Sequence, residues 1–216
     1  MCYSVESSLS AWIVANSISF YLFTRNRRYD RWNAGFVTVF TTIQLLEAGV
    51  WKSLKTGSAK NNELFTKLIL MILVLQPTAQ TVLGAKFTGK EILWYMSMLY
   101  IAIVIYTLFR ITSTSEKFYS TKGPRGHLVW HTSNDKGQVT NSPGKFLGGK
   151  YALGIGIAYI LGLFIPLFFM KDHRGIPLIL TGLGTAYVST YFSSTGEFSS
   201  MWCYFAVLYA IVALFV

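Results

Sequence analysis

Glu47 is the one acidic side chain that lies inside a long apolar stretch of the sequence. Burying an ionisable group in hydrocarbon costs about 3 kcal/mol even on the lenient insertion scale, so such a residue is a functional candidate by default. Gln44 precedes it by three residues, which places both on one face of a helix. Glu47 also lies only roughly 8 Å from the end of its stretch, a depth that suits a structural glutamate equally well. The pair predicts either a small-solute or ion site or a structural contact.

A second polar group interrupts the next apolar stretch, which reads Leu75-Gln-Pro-Thr-Ala-Gln80. Pro77 cannot donate a backbone hydrogen bond, so it frees the carbonyl of Leu73 and favours a kink. Gln76 and Gln80 are four residues apart and point the same way. Two amides beside a freed carbonyl suit coordination of a small solute or ion, and they suit hydrogen bonding between helices slightly better.

Three further polar residues fall at compatible depths. Asn16 lies in the middle of the first apolar stretch, and Glu197 and Trp202 lie at the start of the last one. A tryptophan in the position of Trp202 is more often an aromatic residue at the membrane interface than a site residue. We therefore expect a polar cavity in the half of the membrane nearer the N-terminus, with Glu47 at its wall and Asn16 and Gln44 as neutral donors.

Several catalytic classes are excluded by the residues they require. A retinal protein needs a lysine in its last helix for the Schiff base, and no lysine follows Lys171. A metal centre needs converging ligands, whereas His127, His131 and His173 fall in polar connections. Glycine-rich phosphate loops, nucleophile elbows and HExxH pairs are also missing from the sequence. The sequence therefore predicts no enzyme, no cofactor and no metal.

The elements that position these residues follow from composition. The 216 residues are 52% hydrophobic and 13% charged, about half the charge of a soluble domain. Runs of about 20 apolar residues suffice to cross the roughly 30 Å hydrocarbon core, and there the backbone must form helices. We predict an all-α polytopic integral membrane protein, a single membrane domain over residues 1–216. Its seven predicted transmembrane segments are residues 7–24, 34–51, 68–85, 92–109, 151–170, 175–192 and 198–216.

With seven segments the two termini lie on opposite sides of the membrane. We call side A the side on which the first segment begins and side B the side on which it ends. The arginine-rich turn from Arg25 to Arg31 favours side B in the cytoplasm. On side A lies a long polar loop, residues 110–150, in which residues 127–132 and 138–140 predict a small hairpin.

Small residues predict how two of the helices pack. Gly154, Ala158 and Gly162 repeat every four residues, a spacing typical of close contact between membrane helices. Cys2 and Cys203 both map to side A, and free thiols are the favoured state over a disulfide.

Five segments together resemble an uncharacterised family of small seven-helix membrane proteins associated with large DNA viruses and aquatic microbes. They are residues 1–8, the stretch around Glu47, Leu75-Gln-Pro77, His127-Leu-Val-Trp130 and Ser200-Met-Trp-Cys203. The resemblance implies a seven-helix membrane protein and makes a viral origin plausible. It implies no activity, substrate or cofactor.

Two function classes remain open. One is a transporter or channel for a small solute or ion that uses Glu47, Gln76 and Gln80. The other is a non-catalytic, structural or partner-binding membrane protein in which the same side chains hold helices together. The net charge of +10 is attributed to lipid headgroups because no compact basic domain exists to bind a nucleic acid. The expected partners are the bilayer, its anionic headgroups and a small solute or ion.

Overall fold

The computed structural model describes residues 4–133, 138–140, 143–194 and 196–216. The described chain is mainly helical and contains one small antiparallel sheet. The first elements are the helices α1 (Val5–Arg25), α2 (Asp30–Thr56), α3 (Ala59–Thr88) and α4 (Glu91–Ser113) and the strands β1 (Lys117–Lys122), β2 (Leu128–Ser133) and β3 (Val139–Thr140). The helices α5 (Pro143–Gly148), α6 (Ala152–Phe168), α7 (Gly175–Phe192), α8 (Phe198–Tyr204) and α9 (Ala206–Ala213) follow, with short 3-10 turns at Gly149–Tyr151 and Lys171–His173.

Local sequence explains where the first helices begin and end. Ser4 caps α1, because its side chain accepts from the Ser7 N–H and the Ser7 side chain accepts from the Ser4 N–H, both at 3.2 Å. Asn26, Gly57 and Gly89 end α1, α2 and α3 with φ of 54°, 68° and 68°. Asparagine and glycine adopt this left-handed backbone with the least strain. The chain therefore reverses direction at each of these turns.

Within the described part of the chain, four helices are long and apolar enough to cross a membrane, namely α2, α3, α4 and Gly149–Phe168, the helix that contains α6. The prediction of a helical fold is thus confirmed apart from the small sheet, and these helices are compatible with a membrane protein. The predicted count of seven spans is not confirmed. Continuous helices α1 and α7 do occupy the first and sixth predicted segments.

The seventh predicted segment is not one regular helix. It divides at Phe205 into α8 and α9. There the Leu208 N–H donates to the Phe205 carbonyl at 2.9 Å, the tighter spacing of a 3-10 turn. Residues 198–216 therefore form two shorter helices in place of the single span that apolar composition predicts.

The helices α2 and α3 form the centre of the bundle. Along them pack α1 on α2 and α4 on α3, while α6 contacts α3 and α9 contacts α1, α2 and α7. On side B, Arg25 donates to the Leu214 carbonyl at 2.7 Å and the Tyr29 hydroxyl accepts from the Lys171 N–H at 2.9 Å. On side A, Asn62 of α3 contacts Ser120 of β1. Each of these contacts joins parts of the chain on the same side of the bundle, as expected if successive helices run in alternating directions.

In the polar stretch 110–150, the described residues form a small three-stranded sheet on side A. The strands β1 and β2 pair antiparallel, and β2 pairs antiparallel with β3, where Thr132 opposes Thr140. The predicted hairpin is therefore confirmed as β2–β3, with residues 134–137 outside the described part. The sheet is fixed to α3 by Asn62, which donates to the Ser120 carbonyl at 3.0 Å and accepts from the Ser120 N–H at 2.7 Å. The strand β1, which the sequence analysis did not predict, is added to the hairpin, and Asn62 pairs with its backbone.

Two hydrophobic clusters fill the interior. One contains Trp32, Phe36 and Leu178 and joins α1, α2, α6, α7 and α9. The other contains Trp51 and Phe118 and joins α2, α3, the sheet and α8. The second cluster lies in the side A half, the half in which the sequence places its polar site.

Candidate functional site

Glu47 and Gln44 lie on the inward face of α2, and both side chains are 0% exposed. Glu47 interacts electrostatically with Cys203 of α8, a free buried thiol; Cys2 lies outside the described residues. The position agrees with the expectation that Glu47 faces the bundle interior. The expected polar cavity at Glu47 stays a prediction, because Glu47 does not line the large cavity described below.

Gln80 joins three helices. Its side-chain oxygen accepts from the Trp32 indole N–H of α2 at 3.1 Å, and its side-chain nitrogen donates to the Leu163 carbonyl of α6 at 3.2 Å. The helix α3 continues through Pro77 without interruption. Gln80 is therefore held by protein groups on both sides of its amide.

Gln76 makes the equivalent contacts one turn nearer side A. Its oxygen accepts a short hydrogen bond from the Tyr159 hydroxyl of α6, and its nitrogen approaches the Phe40 carbonyl of α2 at 3.4 Å. The Trp202 ring lies edge-on to Tyr159 and to Phe40, with centroids 6.2 Å and 6.4 Å away. Tyr159 and Phe40 thus bring Gln76 and Trp202, two of the predicted site residues, into one buried group.

The polar atoms of Trp202 and Asn16 also contact neighbouring helices. The Trp202 indole N–H lies 3.2 Å from both the Gly182 carbonyl and the Thr185 hydroxyl of α7. The Asn16 amide donates to the Thr41 hydroxyl of α2 at 3.1 Å. Asn16 therefore joins α1 to α2, whereas Trp202 joins α8 to α7.

Glu197 lies outside this buried group and closes a loop contact on side A. One carboxylate oxygen accepts from the backbone N–H groups of Arg125 and His127 at 2.9 Å and 3.2 Å. The other accepts from the Ser194 N–H at 3.0 Å and from the Ser194 hydroxyl. A Cβ at Gly123 would lie 2.2 Å from the carboxylate, so glycine is required there. The carboxylate fastens the β1–β2 turn to the α7–α8 connection.

Electrostatics on side A follow from these contacts. Burial raises the pKa of Glu197, but the hydrogen bonds from Ser194, Arg125 and His127 together outweigh burial and hold the pKa below its usual range. Burial lowers the pKa of His127, and the nearby Glu197 charge opposes this only in part. Burial also lowers the pKa of His131. Glu197 is therefore ionised and both histidines are neutral near pH 7.

A cavity with a volume of about 570 Å³ lies beneath α6; we call it the α6 hollow. Its floor is α3, its walls are α4 and α8, and the N-terminal part of α6 from Ala152 to Leu161 covers it. The residues that line it outside α6 are Leu73, Val74, Pro77, Tyr100, Ile103, Leu147, Phe198, Ser199, Trp202 and Cys203. Among the predicted site residues, Trp202 alone reaches this space.

The hollow exists because α6 contacts α3 along its C-terminal half. A Cβ at Gly162 would lie 2.6 Å from Pro77, and a Cβ at Gly84 would lie 2.9 Å from Pro166. At Gly154, by contrast, a Cβ would meet no atom within 4 Å. The predicted repeat of small residues along α6 therefore makes its close contact at Gly162 and not at Gly154.

The hollow offers few polar groups to a ligand. The Tyr100 hydroxyl donates to the Ala158 carbonyl at 2.5 Å, and the Tyr159 and Trp202 donors are bonded to Gln76 and to α7. The remaining wall is almost entirely hydrocarbon. A hydrated solute would lose its water contacts there without replacement, at a cost of several kcal/mol, so the space suits an apolar guest.

Sequence reasoning missed the hydrogen-bond partners of the glutamines. Tyr159 and Trp32 were not among the predicted site residues, although a buried amide requires partners and aromatic side chains can donate to it. The chain has 13 tyrosines and six tryptophans, and no spacing rule selects one across a helix interface. The requirement was predictable, whereas the identity of the partner was not.

A metal centre finds no support in the described residues, where no three His, Cys, Asp or Glu side chains gather. The Nε2 atom of His131 lies 2.8 Å from the Thr121 hydroxyl, and its ring stacks on Tyr119 with centroids 4.9 Å apart. His127 lies four residues away along an extended chain, about 13 Å. The two histidines cannot bind one ion in this arrangement.

Most segments that carry the family resemblance lie in α2, α3, β2 and α8. Residues 1–3 fall outside the described part of the chain. The resemblance stays a prediction. No protein-family model, curated protein or solved structure significantly matches this chain.

Proposed function

We propose that the chain is a seven-helix integral membrane protein that acts by binding a partner or ligand and neither transports a solute nor catalyses a reaction. The observation that carries the proposal is the role of the intramembrane polar side chains. Gln76, Gln80, Asn16 and Trp202 each contact a neighbouring helix. A transport site needs groups that can exchange their partners for a solute, and these groups already join helices.

The proposed seven-span arrangement is supported by length and by exposed apolar residues. At 1.5 Å per residue, α1 is about 31 Å long and α7 about 27 Å, close to the hydrocarbon thickness. Phe20 of α1 is 72% exposed and Tyr187 of α7 is 75% exposed, as suits helices in contact with lipid. The helix α1 packs on the candidate span α2 and on α9, and α7 packs on α6 and on α9. We therefore place α1, α7 and the α8–α9 pair in the bilayer with the four long apolar helices.

A transport role is the competing proposal, and one observation favours it. Ser8 and Ser200 are fully buried in the side A half, and their hydroxyls have no hydrogen-bond partner among the described residues. Together with the buried carboxylate of Glu47 they offer the chemistry of a proton or small-cation site. Such a site requires water to reach Glu47.

A flux experiment separates the two proposals. We expect proteoliposomes that contain the protein to pass protons, Na⁺ and K⁺ at the rate of empty liposomes. Glu47→Gln and Gln76→Ala should leave this rate unchanged. A protein-dependent flux that either substitution abolishes would establish transport and remove the binding proposal.

The structural role of the amides has its own test. We expect Gln80→Leu to lower the free energy of unfolding by about 0.6–2 kcal/mol, since Trp32 and the Leu163 carbonyl lose their partner. The control is Thr42→Val, because the Thr42 hydroxyl bonds only within its own helix, to Thr38 at 2.8 Å. Thermal unfolding in detergent micelles measures both, and equal melting temperatures would contradict the assignment.

A further inference from the structure

We propose that the α6 hollow binds an acyl chain of an anionic glycerophospholipid from the side A leaflet, with the lipid headgroup at a basic rim formed by Arg110 and Lys150. The inference deepens the proposed binding function and rests on it, in that it requires α4 and α6 to lie in the bilayer. It names the ligand class that the described contacts select.

The size and chemistry of the hollow select a hydrocarbon chain. A volume of about 570 Å³ lies within the usual 300–1,000 Å³ of ligand cavities. The hydroxyls of Tyr100 and Tyr159 are engaged within the protein, so methylene and aromatic groups face the space. A chain of methylene groups gains free energy from contact with such walls and needs no hydrogen bonds.

The depth of the hollow matches one leaflet. It extends along α6 from Ala152 to Leu161, about 14 Å at 1.5 Å per residue. This is half of the roughly 30 Å hydrocarbon core. It ends at Gly162, where contact with Tyr100 and Pro77 closes the gap between the helices. A lipid chain entering from side A would therefore reach the bilayer midplane and stop there.

The hollow lies next to the surface that α4 and α6 would present to lipid. Both α4 and α6 are candidate spans of which only 22% is buried within the protein. Leu153 and Ile157 of α6 line the hollow and are 79% and 52% exposed. The hollow is thus continuous with the surface that these two helices present to the bilayer, where acyl chains are the available apolar ligands.

Charge at the side A rim selects the headgroup. The Arg110 guanidinium lies 5.0 Å from the Phe146 ring, next to the lining residue Leu147. Lys150 lies 5.1 Å from the Tyr151 ring, next to the lining residue Ala152.

Glu116, 3.3 Å from Arg110, neutralises the charge of Arg110, so Lys150 supplies the net positive charge at the rim. This charge favours an anionic headgroup, by about 1 kcal/mol, or about fivefold in affinity.

Two glycines of α6 provide a matched pair of variants. A Cβ at Gly156 or at Gly154 would meet no atom within 4 Å, yet Gly156 lines the hollow and Gly154 does not. Gly156→Phe should fill the space, whereas Gly154→Phe should leave it open. We expect native mass spectrometry of detergent-purified protein with added phosphatidylglycerol to detect one bound lipid in the wild type and in Gly154→Phe. Gly156→Phe should lose it.

The rim charge is tested in the same measurement. Lys150→Gln should weaken phosphatidylglycerol binding about fivefold and should leave the weaker binding of phosphatidylcholine unchanged. Equal affinities of the wild type for the two lipids would overturn the headgroup assignment.

A cross-linking experiment on the wild type tests the proposal without requiring the variants to fold. Phosphatidylglycerol with a diazirine at the middle of one acyl chain should label hollow-lining residues of α3, α4 and α6. Labels confined to residues outside the hollow, or equal lipid occupancy in Gly156→Phe and wild type, would overturn the acyl-chain site. That result would leave the proposed binding function intact if flux is absent and Gln80→Leu destabilises the protein.

Discussion

Four hydrogen bonds converge on the carboxylate of Glu197, and three of them come from backbone N–H groups. A neutral amide in its place would direct an NH₂ group at one pair of donors. We therefore expect Glu197→Gln to lower the free energy of unfolding by about 1–3 kcal/mol at pH 7. The control is Glu63→Gln, because Glu63 forms an exposed ion pair with Lys67, worth less than about 1 kcal/mol.

The difference in stability between the wild type and Glu197→Gln should change with pH in a definite direction. The folded-state pKa of Glu197 lies below its usual range. Its contribution to stability is therefore complete above the ordinary carboxyl pKa of about 4.3 and disappears as the pH falls through the lowered value. Melting temperatures of wild type and Glu197→Gln should converge in acid. A gap that stays constant from pH 7 to pH 3 would contradict the assignment.

At the scale of the element, α6 has a packed half and an open half. Gly162→Ala would place a Cβ 2.5 Å from the Tyr100 ring and 2.6 Å from Pro77, so we expect it to destabilise the protein by about 1–3 kcal/mol. Gly156→Ala meets no atom within 4 Å and should stabilise α6 by up to about 1 kcal/mol, since alanine favours a helix. Opposite shifts in melting temperature are expected, and shifts of the same sign would contradict this division.

The same helix shows how far the sequence could predict the fold. Apolar length identified α6 and its neighbours, because the bilayer requirement acts on each segment separately. The repeat of small residues from Gly154 to Gly162 predicted close contact along a whole face, but only Gly162 meets Tyr100 and Pro77. The angle at which two helices separate depends on all their contacts at once. The hollow between them therefore could not be predicted from either helix alone.

The net charge of +10 is divided equally between the two sides of the bundle, whereas their architecture differs. Eight basic and three acidic residues lie at the side B turns, and Arg25 there is bonded to Asp30 and to the Leu214 carbonyl. Side A carries the sheet and the rim of the hollow. The described structure therefore combines basic helix turns on side B with a small folded sheet on side A.

Single-cysteine labelling tests whether α1, α7 and the α8–α9 pair cross the bilayer, because these segments are not among the four long apolar helices. Single cysteines on both sides of α1, α7 and the α8–α9 pair are introduced in a background with Cys2→Ser and Cys203→Ser. The changes are Glu6→Cys, Asn26→Cys, Lys171→Cys, Ser193→Cys and Phe215→Cys. An impermeant maleimide added to intact cells should label positions 6 and 193 and spare positions 26, 171 and 215, because the arginine-rich turn favours side B in the cytoplasm. Complete inversion of this pattern would retain seven spans and reverse the orientation. Labelling of positions 6 and 26 from one side would show that α1 does not cross the bilayer, and seven spans would be wrong.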